Sequence, residues 1–366
     1  MVNIMFNHKH YVPILKSKTA ELSALRDIAD KWKANITPLI DVISLPWDYS
    51  ENKPKKTLKK HLDDTATKIS RSWGSDDPVF IDLMYVASNN ETVSSKHALN
   101  YFWDILLEKN TGIIPVVGTE RDENYLAAVE LITSSSDTGI CLRIEQSDLD
   151  DLDTLESVID ALLARFNTAP DECDLIIDFK SIPIQGVGDQ ISYITTIVNQ
   201  FPKISRWRTF TIAASSFPQF LKDITADTSK LIPREELSIW RQIVSKKSLR
   251  RLPSFGDYAI EYPGMSEADY RKIKIPVSLR YSTPAHWRVF KGREKNRYGH
   301  DQFNAICNVL VNSSEYSGAV YSAGDEYISS CANNLDGPGN PQKWRWVGFS
   351  HHLTMVSRQI ASAALS

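Results

Sequence analysis

Only four cysteines occur in 366 residues, and none forms a CxxC pair, so a disulfide framework is excluded. Cys141, Cys173, Cys307 and Cys331 are scattered along the chain, as reduced thiols in a cytoplasm would be. An excess of one charge is missing as well. Lys+Arg number 42 and Asp+Glu 45, for a formal charge of −3, which leaves no global basic footprint for nucleic acid. No apolar run approaches the roughly 20 residues that cross a bilayer. The opening MVNIMFNHKHYVPILKSK has no apolar signal core and no small-residue cleavage site, so a cytoplasmic location is expected. Neither GxGxxG nor GxxxxGK[ST] is present, which removes the nicotinamide and flavin signatures. HExxH and GxSxG are absent too, so neither a zincin nor a serine hydrolase gains support. A hydrophobic fraction of 42% and a charged fraction of 24% are those of a globular chain rather than a disordered one.

What is present is an alternation of short apolar, β-rich runs with longer segments of helical period. The runs are Tyr11–Lys16, Ile36–Asp41, Val79–Leu83, Ile113–Val117, Ile140–Glu145, Asp174–Phe179, Arg208–Ala213 and Phe255–Ile260. Helical patterns follow, among them a lysine-rich one from Pro54 to Trp73 and another, after a longer loop that runs from the seventh strand, from Glu235 to Val244. Eight such units predict an α/β fold, a (β/α)8 TIM-like barrel over residues 1–265. The competing architecture, an open doubly wound sheet, commonly stops at five or six strands and favours a glycine-rich first turn.

After Met265 the rhythm changes, and residues 266–366 are expected to form a C-terminal α+β extension packed on the barrel. Val277–Tyr281 and Trp287–Lys291 look like paired strands, and Asp301–Val311 like a helix. Gly324 and Asp325 read as part of a loop, and a final amphipathic helix ends near Ala361. The basic stretch Lys291–Arg297 reads as a solvated strand-and-turn face rather than a nucleic-acid contact.

A barrel works at the carboxyl ends of its strands, so polar groups there are the first candidates. Three runs end in the same phrase, at Asp41, Asp82 and Asp178, and a fourth ends in Glu145. Clustered carboxylates suit either of two chemistries. Asp41, Asp82 and Asp178 could hold a hard cation such as Mg²⁺ or Mn²⁺ beside a phosphate. Alternatively, packed carboxylates drive each other's pKa apart and supply a general acid and base. Lys16, Arg143 and Lys180 stand at the same level as anion-binding candidates, joined by Ser216 after the seventh run. The competing reading makes each Asp a helix cap or an ion-pair partner. In the C-terminal part Arg280, Tyr281, Asp325, His351 and His352 are candidates. Adjacent histidines in a strand would face opposite ways, which argues against a shared metal.

Longer phrases identify a relative. YVPILKSK, ITPLIDV with PWDY, ICLRIE, DLIIDF, TIAASSFP, FGDYAIEYP, SLRYSTPAHWRVFKGR and GPGNPQKWRWVGFSHHLT run almost end to end. In these the chain resembles the beta protein family, named after a phage protein and found in bacterial chromosomes and mobile elements. The resemblance implies a barrel with an obligatory C-terminal part and a role in phage–host conflict, that is, anti-phage defence. It carries over no catalytic set. Phe349-Ser-His-His departs from the family phrase, where an Asn precedes the two histidines.

The expected function is therefore metal-assisted chemistry on a phosphate-containing ligand at the barrel mouth, in the manner of a phosphoester hydrolase. The alternative is a non-catalytic sensor or adaptor that binds a protein encoded nearby through the extension, with Trp287, Arg293 and Trp344 as its sensitive positions. Neither nucleic acid nor a membrane is expected as the main partner.

Overall fold

The computed structural model describes residues 6–74, 77–86, 92–184, 186–246, 248–265 and 276–362. Eight parallel strands close into a barrel in chain order: β1 (Tyr11–Lys16), β2 (Leu39–Asp41), β3 (Val79–Asp82), β4 (Ile113–Val117), β5 (Cys141–Glu145), β6 (Asp174–Ser181), β7 (Thr209–Ser215) and β8 (Ser254–Asp257). The ring closes where Tyr11, Val12 and Pro13 of β1 pair with Phe255, Gly256 and Asp257 of β8. Buried on both faces, these strands read as nearly continuous apolar runs, which is why the sequence announces them.

Alternation sends every second residue inward. Val12, Ile14, Leu39, Phe80, Ile114, Val116, Cys141, Ile176 and Ala213 fill the interior with Tyr258 above them. The same parity carries Lys16, Asp41, Asp82, Arg143, Glu145 and Asp178 to the carboxyl end, because Lys16 pairs with Asp41, Asp41 with Asp82, and Asp178 with Glu145. At the opposite end His10 stacks on Phe6 and its Nε2 lies 2.9 Å from Thr37 Oγ1.

Burial pushes the His10 imidazole down from 6.5 to about 3. A depressed folded-state pKa means that the unfolded chain takes up the proton first. This contribution to stability is therefore complete above pH 6.5 and is lost as pH falls towards 3. Glu21 and Glu236, both raised to about 7 chiefly by burial, act with the opposite sign between 4.5 and 7. The difference between wild type and His10→Gln isolates the imidazole. We expect the variant to lose less stability on acidification, by about 1.4 kcal/mol per pH unit across that window. Urea unfolding at a series of pH values checks this, and parallel curves would contradict it.

The last 21-residue helix, Pro341–Ala361, completes the helical ring. It packs along the helix Thr19–Arg26 and touches β1, the place open to the helix that follows β8. Phe349, Leu353, Val356 and Ile360 belong to the same core as the barrel helices. What precedes this helix is inserted between β8 and its helix. The insertion holds two antiparallel strands, Pro276–Ser282 and His286–Glu294, and the helices Gln302–Val311 and Ala323–Ala332. Its sheet gains a third strand, Thr228–Pro233, from the segment after β7. The two parts thus share a sheet and a core, and residues 266–275, next to the expected boundary, lie outside the described residues.

Three sequence expectations change. Gly324 and Asp325 lie in a helix capped by Ser322, whose Oγ accepts from the Asp325 N–H. A Cβ on Gly324 would come 2.4 Å from the Val347 carbonyl oxygen, so glycine is what lets this helix approach the final one. Trp344, Phe349, His351 and His352 lie on the final helix, not on a strand before it. Thr228–Pro233 was expected as loop; four of its six side chains are at least partly exposed polar or turn-forming residues, so its apolar signal is weak.

Candidate functional site

The mouth of the barrel is organised by one arginine. Arg143 is 1% exposed, and each edge of its guanidinium is taken. Nε and Nη2 donate to Asp178 Oδ2 at 3.0 and 2.8 Å, and Nη2 also donates to Tyr258 Oη at 3.0 Å. Nη1 donates to Asp41 Oδ1 at 2.7 Å and to Asp82 Oδ2 at 3.0 Å. A guanidinium has five N–H donors, and here all five are used. Burial opposes the charge on Arg143, but Asp41, Tyr258, Asp178 and Asp82 outweigh it and hold its pKa well above the ordinary value.

The aspartates differ in what they have left to offer. Burial pushes the Asp178 carboxyl up, yet Lys180 and Arg143 prevail and hold it below the usual carboxylate range. Its Oδ1 accepts the Lys180 N–H at 2.9 Å, and its Oδ2 also receives the Tyr258 hydroxyl. Asp82 accepts from the Met84 N–H and from Arg121 Nη2 in addition to Arg143. Asp41 stands apart. Only its Oδ1 is bonded, while Oδ2 is buried without a donor. Burial raises the Asp41 pKa, and neighbouring Asp82 adds to the rise against the pull of Arg143.

Besides Arg143, two lysines act on this carboxyl through their charge. Lys16 contributes to the field at Asp41, with its ammonium on the carbonyls of Tyr262 and Gly264 at 3.3 and 2.7 Å. Burial lowers its pKa to about 8. Lys180 bridges Glu145 at 2.8 Å and Asp178 at 3.3 Å and remains about a quarter exposed. It adopts a left-handed backbone, φ 54°, as does Ala259 at φ 53° beside the mouth tyrosine. Such conformations cost on the order of 1–3 kcal/mol in a non-glycine residue and gather at functional sites. The half-buried Tyr85 hydroxyl is raised by burial and by Asp41, and Arg121 keeps a buried Nε without a partner.

Several expectations are corrected by this geometry. Asp41, Asp82 and Asp178 converge as predicted, but on a guanidinium, which lies where a shared cation would have to sit. The residues therefore do not fit a resident Mg²⁺ or Mn²⁺, and among the described residues no group of three or more His, Cys, Asp or Glu side chains is arranged to hold a metal. Arg143 cannot bind an anion because it has no donor to spare. Ser216 is turned away from the mouth. Its hydroxyl bonds Glu236 Oε2 at 2.7 Å and the Pro233 carbonyl, and accepts from the Glu235 N–H. Sequence reasoning missed Tyr85, Arg121 and Tyr258; a tyrosine directly after β8 carries the same inward parity as Gly256 and was open to notice.

The C-terminal candidates form two buried networks away from the mouth. Tyr281 Oη donates to Asp325 Oδ1 at 2.8 Å, His351 Nδ1 lies 2.9 Å from Asp325 Oδ2, and the two rings stack at 3.8 Å. His351 Nε2 meets the Ser282 carbonyl at 2.8 Å. His352 instead joins Ser282 Oγ at 2.7 Å to Asp257 Oδ2 at 2.9 Å, and burial lowers its pKa. This serine–histidine–aspartate string resembles a nucleophilic relay, but Ser282 and His352 are 0% exposed and both ring nitrogens of His352 are bonded within the fold, so it is a packing network. Arg280 packs over Phe217 and ties the Ile260 carbonyl and Glu261, with burial lowering its pKa to about 10. The two histidines thus act as separate packing devices, 100° apart on a helix rather than opposed on a strand.

The surfaces named for an adaptor also change character. Trp287 and Trp344 are buried, and Arg293 is paired with Asp227. In the basic stretch Lys291 bonds the carbonyls of Leu221 and Ile224, and Arg288 just before it pairs with Glu315. Among the described residues no helix is long and apolar enough to cross a membrane.

A protein-family model described as Beta protein matches residues 11–358, nearly the whole chain. No curated protein and no solved structure matches it. The chain belongs to the Beta protein family.

Proposed function

We propose that this member of the Beta protein family binds a small phosphate-bearing ligand at its barrel mouth, with Asp41 and Lys180 as the contacting groups, and does so without a resident divalent cation. The observation that carries the reading is the unpartnered Asp41 Oδ2, a buried acceptor in a cluster where every other carboxylate is bonded on both oxygens or exposed. A buried polar atom left without a partner costs about 1–3 kcal/mol, which a ligand hydroxyl or amine would recover. Lys180, partly exposed and held in a left-handed conformation beside it, supplies charge for a phosphate. With its carboxyl raised by burial, Asp41 is also suited to exchange a proton with such a ligand. In this reading the activity serves phage–host conflict in the cytoplasm, a role that family membership supports without specifying.

Thermal unfolding against a panel of nucleotides and sugar phosphates tests the reading. A ligand that binds only the folded chain raises Tm with concentration. We expect at least one to do so, Asp41→Asn to abolish the shift, and Lys180→Gln to weaken it. The same variant should lose any protection against phage that the parent gives in a plating assay. Shifts equal in parent and Asp41→Asn would refute the placement of the site.

A further inference from the structure

We propose a second ligand site, separate from the mouth, in the cavity between the helix Glu235–Val244 and the turn at Ala285 and His286, and assign it to a phosphate-bearing small molecule. The cavity measures about 420 Å³, within the roughly 300–1,000 Å³ of small-molecule sites and larger than a bare anion needs. Its polar lining is rich in donors: Arg234, Ser238, Arg241, Gln242 and His286, with Glu235 as the carboxylate.

Two features set this cavity apart from an ordinary groove. Arg234 is 1% exposed, and although Nη1 reaches the Thr283 carbonyl and Gln359 Oε1, Nε and Nη2 have no hydrogen-bond partner. Its nearest carboxylates, Glu236 and Asp257, stand 3.5 and 3.8 Å away, so the charge is balanced but the donors are not used. Arg241 then adds a second guanidinium to the same wall. Its exposed side chain makes no hydrogen bond or ion pair among the described residues, and partial desolvation together with Arg234 lowers its pKa. Glu236 and Asp257 answer the charge of Arg234, whereas Arg241 has no carboxylate beside it among the described residues, so an anion seated against Arg241 would supply its missing partner. The His286 ring, also without a side-chain partner, closes the opposite wall from the inserted sheet. An occupant held by Arg241 and His286 would tie the barrel helix to that sheet, so binding would stabilise the joint between the two parts of the fold.

Calorimetric titration of the full chain with inorganic phosphate and with AMP tests the site. Arg241→Gln and His286→Gln lie on the cavity wall rather than in the core, and unfolding curves establish that both variants are folded. We expect AMP to bind more tightly than phosphate, and each variant to weaken it about tenfold or more, the effect of losing a hydrogen bond to a charged group. The Asp41→Asn variant should retain this binding, which separates it from the mouth. Affinities unchanged in Arg241→Gln and His286→Gln, absence of binding, or AMP no tighter than phosphate would each overturn the proposal.

Discussion

Replacing Arg143 with methionine should bring the protein close to unfolding at room temperature. The substitution keeps most of the volume but leaves Asp41, Asp82 and Asp178, each at most 1% exposed, without the cation that joins them. Breaking a buried ion pair by removing one partner costs about 3–5 kcal/mol, and here three carboxylates lose a shared cation together, Asp82 keeping only Arg121 and Asp178 only Lys180. Total stabilities of about 5–15 kcal/mol leave little reserve. Lysine should not rescue the site, since a point charge with three donors cannot replace a planar group with five. Arg143→Met with Asp178→Asn should recover part of the loss, because one uncompensated charge is then gone. Urea unfolding of the three variants measures this. A stable Arg143→Met protein would mean that the mouth aspartates are neutral or solvated, contrary to the geometry.

A comparable loss is expected from Asp257→Ala, at a different seam. Asp257 leaves β8 on the outer face, where it accepts from Tyr11 Oη at 2.6 Å, the Ala259 N–H at 2.9 Å and His352 Nε2 at 2.9 Å. Burial pushes this carboxyl up, but His352, Arg234 and Tyr11 outweigh it and hold it low. Removing it strands a buried hydroxyl, an imidazole and the Arg234 guanidinium, for about 3–5 kcal/mol. The loss should appear first in the final helix, which Asp257 ties to the strand through His352. Faster amide exchange across Pro341–Ala361 than across the helix Leu58–Trp73 is the expected pattern. Uniform acceleration over the whole chain would show that the helix is not a separable unit. Because the folded pKa of Asp257 is depressed, this contribution is present above its ordinary value of 3.8 and is lost as pH falls below it.

The barrel and the site were legible in the sequence to different depths. Strands buried on both faces must be apolar runs, and the period of two carries the carboxylates of β2, β3, β5 and β6 to one level, so the mouth could be located. Which groups neutralise each other there could not be read. The Arg143 pairs with Asp41 and Tyr258 span 102 and 115 residues, and nothing local distinguishes an arginine that binds a ligand from one that is saturated. The helix at Ala323–Ala332 was concealed by its Gly324, although Ser322 and Asp325 carry the spacing of a capped N-terminus. The final helix buries thirteen of its 21 residues, so no single apolar stripe revealed His351 and His352 as helical. That it occupies the eighth helical position, after an inserted sheet and two helices, follows only from contacts between distant parts of the chain.

The central claim is that one mouth carboxylate is free for a ligand while its neighbours hold the fold together. Asp41→Asn and Asp178→Asn, compared by urea unfolding of the unliganded protein, test it directly. Asp178 receives Arg143, Lys180 and Tyr258, whereas Asp41 receives one bond and has a raised pKa. The account predicts a change of about 1 kcal/mol or less for Asp41→Asn and a loss of about 3–5 kcal/mol for Asp178→Asn. Equal losses in the two variants, or a larger one in Asp41→Asn, would contradict it.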